Sequence, residues 1–411
     1  MTDGRPKTML SDPRLGSFPD AFREDLERYL NQGGLLGTIT YALVYLDAGD
    51  EQTAARAASI PTNLFVASCL HDDAIDAAGG GVVVDGSPES GTAGDGPDED
   101  GNVGNGDRDD GTGPKALRNW RVTVGDVAYT RILDVVETLP EEFETATVTD
   151  QFRTIAYGQL DEESDTDADS TMAEALSRVE RRGSVWGELA VSPAFAGGYG
   201  GAELDHVSAV VENVLFVLTL VDDVEDVPED LENGVVNIPV LVADEDPEDY
   251  ASTAAFLDAL VDSDVPDRLA DVVERHETEM EASALRYVDA TDHTPVELLD
   301  ALTRAFEWYR EAACTAPLDE TVPLEQQATV RQRLAGDEAD CEAVLSELFD
   351  AFPISVWDPS SVHDTVTEVP TDRLAPVVIG LFHVSALVDS VMTTDLDVAL
   401  DSLRERAAAV E

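Results

Sequence analysis

Residues 61–76 read PTNLFVASCLHDDAID, and residues 213–226 read NVLFVLTLVDDVED. Each is a long apolar run that ends in aspartates spaced i, i+1 and i+4: Asp72, Asp73 and Asp76 in the first, Asp222, Asp223 and Asp226 in the second. On a helix, i and i+4 share a face one turn apart, and i+1 sits beside them. The spacing therefore crowds carboxylates together, and they repel unless a cation intervenes. Carboxylate oxygens suit Mg²⁺, which takes one or two protein carboxylates together with substrate phosphates and water. Two such helix ends facing each other could grip a diphosphate from both sides. The apolar turns beneath them would line a dry pocket for a hydrocarbon tail.

Acid is so common in this chain that the pattern alone means little. With 86 acidic residues in 411, it recurs by chance roughly three or four times. Asp161/Glu162/Asp165 and Asp244/Glu245/Glu248 are such matches. Only the two quoted motifs are all aspartate and close an otherwise uncharged run. The other acids are spread along the whole chain and outnumber 25 basic residues, for a formal net charge of -61. This reads as a surface adapted to multimolar salt, where screening confines repulsion to about 3 Å at 1 M. Halophilic archaea live under such conditions. The charge argues against nucleic acid and anionic membranes as partners, since both need basic patches. Cys69, Cys314 and Cys341 are odd in number and widely spaced, as expected of reduced thiols. The start, MTDGRPKTML, lacks a signal peptide's apolar run. The uncharged stretch 374–388 falls short of the roughly 20 residues of a spanning helix. A cytoplasmic protein without stable membrane insertion is expected.

Helical periodicity runs almost throughout. It begins near residue 15, breaks at Gly33-Gly34, resumes over 35–46, and restarts with Pro61 in a first turn. Further helices are expected near 117, then over 132–137, 150–160, 172–199, 205–226, 250–262, 266–288 and 296–315. Several more follow in 325–411, interrupted by a Pro-punctuated stretch at 351–370. Residues 79–115, rich in Gly, Asp, Ser and Pro, read as a disordered acidic insertion. No sustained β-alternation and no internal repeat is evident. The fold class is all-α: one helical domain over 15–325, with an additional helical segment over 326–411 packed on it.

CLHDDAID at 69–76 resembles the first aspartate-rich motif of the trans-isoprenyl diphosphate synthases (polyprenyl synthetases). Other segments follow in that family's order. VGDVAYTRIL, with Gly125 and Asp126, resembles the Gly-Asp helix. RRGSVWGELAVSPAFAGGYGG, from Arg181, resembles the Lys-Thr helix and its glycine-rich bend. LVDDVEDVPEDLENGVVNIPVLV, from Leu220, resembles the second motif and its tail. The resemblance covers about 25–260. It implies an isoprenoid (terpenoid) synthase helical bundle with a central cavity, Mg²⁺ held by the six aspartates, a prenyl diphosphate substrate, and a homodimer or a heteromer with a related synthase. It also implies that small residues at Ala67 and Ser68 leave room for a long product.

The departures concern basic residues. The family's Gly-Gly-Lys-Arg-x-Arg-Pro segment, which binds isopentenyl diphosphate, falls on Gly33-Gly34-Leu35-Leu36-Gly37. The Lys-Thr pair falls on Arg182-Gly183, the tail lysine on Val235, and the tail threonine on Asn237. The arginines that follow the first motif have Arg118 and Arg121, with Lys115, as their nearest counterparts. A second diphosphate carries two to three charges and needs such groups. Three readings stand. One is a prenyltransferase using substitute contacts such as Arg182, Arg118, Arg121 and Asn237. Another is an enzyme of the same fold acting on a single prenyl diphosphate, such as a cyclase. The third is a non-catalytic partner subunit. His71 reads as a structural histidine, Asp126 and Glu188 as supporting residues behind the motifs, and Trp120, Trp186, Trp308 and Trp357 as core.

Overall fold

A computed structural model describes residues 20–79, 114–140, 143–164, 171–233, 237–243, 247–312, 324–334, 344, 345, 347, 348, 366, 369–389 and 395–409. Among them the regular elements are helical. They are α1 (Asp20–Ala48), α2 (Glu51–Gly79), α3 (Pro114–Val136), α4 (Thr145–Ser164), α5 (Met172–Ala196), α6 (Leu204–Asn233), α7 (Ile238–Ala243), α8 (Thr253–Asp262), α9 (Val265–Ala290), α10 (Pro295–Ala312), α11 (Leu324–Leu334), α12 (Thr371–Asp389) and α13 (Asp395–Ala409). Local chemistry sets several ends. Thr171 and Glu174 form a reciprocal capping box at the start of α5. Thr294 and Glu297 make the same pair at α10. Gly49 takes φ 62° just past α1, a left-handed turn that suits glycine. No described helix is long and apolar enough to cross a membrane.

Two sequence expectations fail in α1 and α2. The chain does not break at Gly33-Gly34, because α1 runs unbroken through both. These glycines serve close approach. A Cβ on Gly33 would lie 2.8 Å from the Thr62 carbonyl oxygen, and one on Gly37 would lie 2.7 Å from that of Ala58. Nor does Pro61 open a helix; α2 starts ten residues earlier and passes through it. Proline inside a helix costs about 3 kcal/mol. Here Ala57, Ala58, Ile60 and Leu64 around it are fully buried, so packing holds the turn together.

The architecture also contains a repeat, where the sequence led to the expectation of none. On α5, a Cβ on Gly183 would lie 2.8 Å from the Glu212 carbonyl oxygen, and one on Gly187 would lie 2.8 Å from that of Ser208. A shift of 150 residues carries Gly33, Gly37, Ala58, Thr62 and the first aspartates onto Gly183, Gly187, Ser208, Glu212 and the second aspartates. The correspondence continues. α1 packs on α2 and α2 on α3, as α5 packs on α6 and α6 on α9. α4 lies against α5, and α10 closes the ring against α1. Two four-helix units thus stand in tandem, α1 to α4 and α5, α6, α9, α10. Helices α7 and α8 lie between α6 and α9 in the chain.

The C-terminal helices lie on this ring. α12 packs against α10 and α11, and α13 against α6 and α8. Asp300 ties α12 to α10, accepting from Arg304 Nε and Arg373 Nε at 2.8 Å each. Ala399, Leu400 and Leu403 of α13 join the apolar cluster that holds Val221 and Val224.

Candidate functional site

The helix contacts fix where the two motifs sit. Gly33 meets Thr62 and Gly37 meets Ala58, so α2 runs antiparallel to α1; Gly183 and Gly187 show the same for α6 and α5. The later halves of α1 and α5 share one cluster, with Tyr41 and Val44 beside Val191 and Ala194. Those two helices are therefore parallel, and so are α2 and α6. Both aspartate motifs lie at the same end of the ring. Between the four helices, Leu36, Phe65, Trp186 and Leu215 share a cluster, and Phe65 meets Trp186 at 4.9 Å between ring centroids. Phe65 precedes Asp72 by seven residues, as Leu215 precedes Asp222. Seven residues are two turns, so each aromatic or aliphatic side chain lies about 10 Å below its aspartate on nearly the same face. The two motifs thus rise over a common apolar floor.

The second aspartate of each motif is held by the fold. Asp73 Oδ2 accepts from the Tyr29 hydroxyl at 2.8 Å and pairs with Arg121 Nη2 at 3.1 Å. The same Arg121 nitrogen reaches Asp25 at 3.0 Å. Asp223 Oδ2 accepts from the Ile238 N–H at 3.3 Å. Asp72, Asp222 and Asp226 are exposed, while Asp76 has its side chain outside the described residues. Partial burial raises the Asp226 carboxyl above its ordinary value, and the charges of Asp222 and Glu229 push the same way against Arg406. A cation would relieve that repulsion. No three His, Cys, Asp or Glu side chains gather in one metal-binding group among the described residues. Mg²⁺ takes one or two protein carboxylates when phosphates and water complete its shell, so the exposed Asp72, Asp222 and Asp226 are donors of the right kind. The donor chemistry fits that ion.

The other predicted site residues separate into groups. Asn237 is buried and turned inward. Its Nδ2 donates to the Asp223 carbonyl at 3.0 Å and to Asp230 at 2.9 Å, and its Oδ1 accepts from the Val240 N–H. It caps α7 and fastens that helix to the second motif. Arg121 is engaged with Asp25 and Asp73, as above. Arg118 and Lys115 are exposed on α3. Arg182 lies on α5 one turn from Trp186, toward the motif end; its side chain is outside the described residues, as are Gly234, Val235 and Val236.

His71 turns away from the motif toward α3. Its ring lies 2.5 Å from where a Gly125 Cβ would be, contacts Tyr129, and stands 3.5 Å from Asp126. Gly125 is small because His71 needs the space. Ala67 packs with Phe22, Leu26 and Val124 between α1 and α3, so its size serves that seam. Ser68 is buried as well. Glu188 is exposed and accepts from Gln151. Trp120, Trp186 and Trp308 join apolar clusters; Trp357, Cys314 and Cys341 lie outside the described residues. Burial and the nearby Asp72 and Asp73 charges push the Cys69 thiol up to about 12, so it stays protonated.

Sequence reasoning passed over Tyr29, Asp25 and Asp230. It also passed over the signal that pairs the motifs. Gly33 and Gly37 precede Asp72 by 39 and 35 residues, and Gly183 and Gly187 precede Asp222 by the same 39 and 35. Comparison with family models, with curated proteins and with solved structures finds no match. The chain's own residues carry the functional reading.

Proposed function

We propose that this chain is a Mg²⁺-dependent prenyltransferase of the cytoplasm, acting on allylic prenyl diphosphates in isoprenoid synthesis. One observation carries the reading: two aspartate motifs, on equivalent helices of a tandem repeat, end at the same side of the ring over a shared apolar floor. A prenyl diphosphate has the matching polarity, with a charged head and a hydrocarbon tail. Asp72, Asp76, Asp222 and Asp226 would hold the cations, and Mg²⁺ when bound neutralises the charge that develops on the departing diphosphate. Phe65, Trp186, Leu36 and Leu215 would receive the tail and exclude water from the allylic cation. Arg182, on α5 one turn from Trp186 toward the motif end, would be the basic residue that meets the diphosphate.

A specific observation also supports the single-substrate reading. Gly33 and Gly34, where the resembled family places its isopentenyl diphosphate segment, are buried within α1. Arg121 is committed to carboxylates of the chain itself. The assay that separates the readings uses purified protein in multimolar KCl with Mg²⁺ and geranylgeranyl diphosphate, with and without isopentenyl diphosphate. Asp72→Ala and Asp222→Ala serve as controls. A longer diphosphate formed only with the second substrate supports condensation. Diphosphate release without it, lost in both controls, supports the single-substrate enzyme. No turnover in any condition overturns both and leaves a non-catalytic subunit.

A further inference from the structure

The two repeated units share an arginine as well as their glycines and aspartates. Arg28 precedes Asp72 by 44 residues, and Arg178 precedes Asp222 by the same 44. They stand on α1 and α5, each five residues before the first glycine of its seam, Gly33 or Gly183. Because α2 and α6 run antiparallel to those helices, both places lie toward the motif end of the ring. The neighbours of the arginine do not recur: Asp25 and Tyr29 correspond to Ala175 and Val179. An arginine present only to pair with Asp25 would have no reason to recur where that carboxylate does not. The side chain of Arg178 lies outside the described residues, so the geometry is read at Arg28.

Arg28 is seated and yet open to solvent. Its guanidinium lies over the Tyr29 ring, with Cζ 4.8 Å from the centroid, and Nη2 donates to the Tyr29 hydroxyl at 2.8 Å. That hydroxyl donates in turn to Asp73 Oδ2 at 2.8 Å. Tyr29 is buried, so a fixed ring and a fixed oxygen hold the arginine beside the first motif. Its contact with Asp25 is longer, 3.4 Å, and the Arg28 side chain stays 58% exposed. An exposed pair of this kind contributes little to stability. Arg121 is the contrast: only 16% exposed, it lies 3.0 Å from Asp25 and 3.1 Å from Asp73. Of these two guanidiniums, the one whose donors remain open to a ligand is that of Arg28.

Resting on the prenyl diphosphate reading above, we infer that Arg28, seated by Tyr29, binds the metal-bound diphosphate at the first motif, from α1, in addition to Arg182 on α5. A guanidinium offers a planar fork of N–H donors that matches two phosphate oxygens. Stacking on an aromatic face fixes its orientation in advance, so the ligand has little ordering left to impose. Mg²⁺ would take some of the diphosphate oxygens, and Arg28 would take oxygens that the ion leaves. Tyr29 is a positioning residue in this arrangement: it touches Arg28 and Asp73 and does not itself meet the ligand.

The test is calorimetric titration of inorganic diphosphate into the full-length chain, in multimolar KCl with Mg²⁺. Arg28→Leu should weaken binding about fivefold to thirtyfold, the loss of one charge-assisted contact in concentrated salt, with the melting temperature of the unliganded protein unchanged. Arg28→Lys, which keeps the charge and loses the fork, should recover part of that affinity. Tyr29→Phe keeps the ring and removes the hydroxyl, so it should weaken binding by a smaller factor. Arg286→Leu removes the same charge from an exposed pair with Glu279 on α9, and should stay within twofold of the wild type. Wild-type binding with Arg28→Leu weakened no more than Arg286→Leu overturns the inference and leaves the prenyl diphosphate reading standing. Binding that persists without Mg²⁺ and still depends on Arg28 places the contact away from the metal and also overturns the inference. No binding of diphosphate by the wild type with Mg²⁺ overturns that reading and the inference with it.

Discussion

The hydroxyl of Thr40 donates to the carbonyl oxygen of Ala190 at 2.6 Å, a contact between residues that occupy the same position in the two halves of the ring. Equivalent residues touch only where the relation between two units passes through the contact. The crossing of α1 and α5 is therefore where the two repeated units meet. The glycine seams on either side decide how near the motif helices come to it. Gly37→Ala should cost about 1–3 kcal/mol of stability by overpacking, less up to about 1 kcal/mol returned by helix propensity. Its Cβ would meet the Ala58 carbonyl oxygen and Trp308 at 2.7 Å, and the Thr62 hydroxyl at 2.4 Å. Gly49→Ala, in open space at φ 62°, should cost about 1 kcal/mol through backbone strain alone. Urea unfolding of both variants in the same KCl ranks them; a Gly37→Ala protein as stable as wild type would contradict the close seam.

The sequence made most helices legible because their apolar spacing is regular, and it marked the aspartate motifs because uncharged flanks stand out in an acid-rich chain. It hid the roles of the glycines. A glycine pair breaks a helix or lets two helices touch, and only the partner backbone tells which. The repeat was hidden for a related reason. Packing at buried positions asks for apolar bulk and not for identity, so Leu36 and Trp186, or Phe65 and Leu215, fill corresponding places. A conspicuous polar residue near a motif, such as Arg121 or Asn237, invites a reading as a ligand group. The structure gives both of them partners within the chain.

The tie between α10 and α12 should weaken in acid. Burial pushes the Asp300 carboxyl up, but hydrogen bonds from Arg304 and Arg373 outweigh it and hold the group below its ordinary value. A depressed carboxyl contributes stability that is full above the unfolded value of about 3.9 and is lost as pH falls through the lower folded value. Asp300→Asn should cost about 1–2 kcal/mol at neutral pH, between the values for exposed pairs and for broken buried pairs, because the group is partly exposed and the salt is concentrated. It should also flatten the acid limb below pH 4. Melting temperatures from pH 3 to 7 for wild type and variant measure both effects, and parallel curves would dismiss the ion pair as a stabilising tie.

His276 should impose a second pH dependence, at higher pH. Its ring stacks on Phe216 at 3.6 Å, and Nδ1 lies 2.7 Å from Asn213 Oδ1. Burial, with help from the Arg275 charge, lowers its pKa to about 4. The unfolded imidazole gains its proton near 6.5 while the folded one resists until about 4. The unfolded state then binds more protons in this window, so stability falls as pH drops from 6.5 toward 4. His276→Gln should remove that slope while leaving the steeper loss below pH 4. Urea midpoints at half-unit pH steps would show it; an unchanged slope between 4 and 6.5 would mean that the folded imidazole titrates freely.

Fastening α7 to the second motif by Asn237 predicts a local effect. Asn237→Ala removes the donors to Asp223 and Asp230 and the cap on Val240. The Asp230 carboxyl, already raised by burial and by Asp226 and Glu229, would lose the one hydrogen bond that opposes them. The loss should be about 1–2 kcal/mol, in the range of a lost helix cap. Amide hydrogen exchange should speed up in 238–243 and around Asp223, with 20–48 unchanged. Uniform acceleration across the chain would assign Asn237 to global stability instead of to this junction.

If the paired motifs hold a metal–diphosphate complex, that complex must stabilise the folded chain by mass action. A ligand present at about 100 times its dissociation constant adds about 2.7 kcal/mol. In a chain of this size that shift would raise the melting temperature by several degrees. Mg²⁺ with a prenyl diphosphate should therefore raise it, and Mg²⁺ alone should raise it less, since the ion alone brings none of the contacts of the diphosphate or its tail. Asp72→Ala and Asp222→Ala should each reduce the response to the complex. Inorganic diphosphate in place of the prenyl form separates the head from the tail: a smaller shift assigns the difference to the floor of Leu36, Phe65, Trp186 and Leu215. Equal shifts for the two would mean that the apolar floor takes no part in binding.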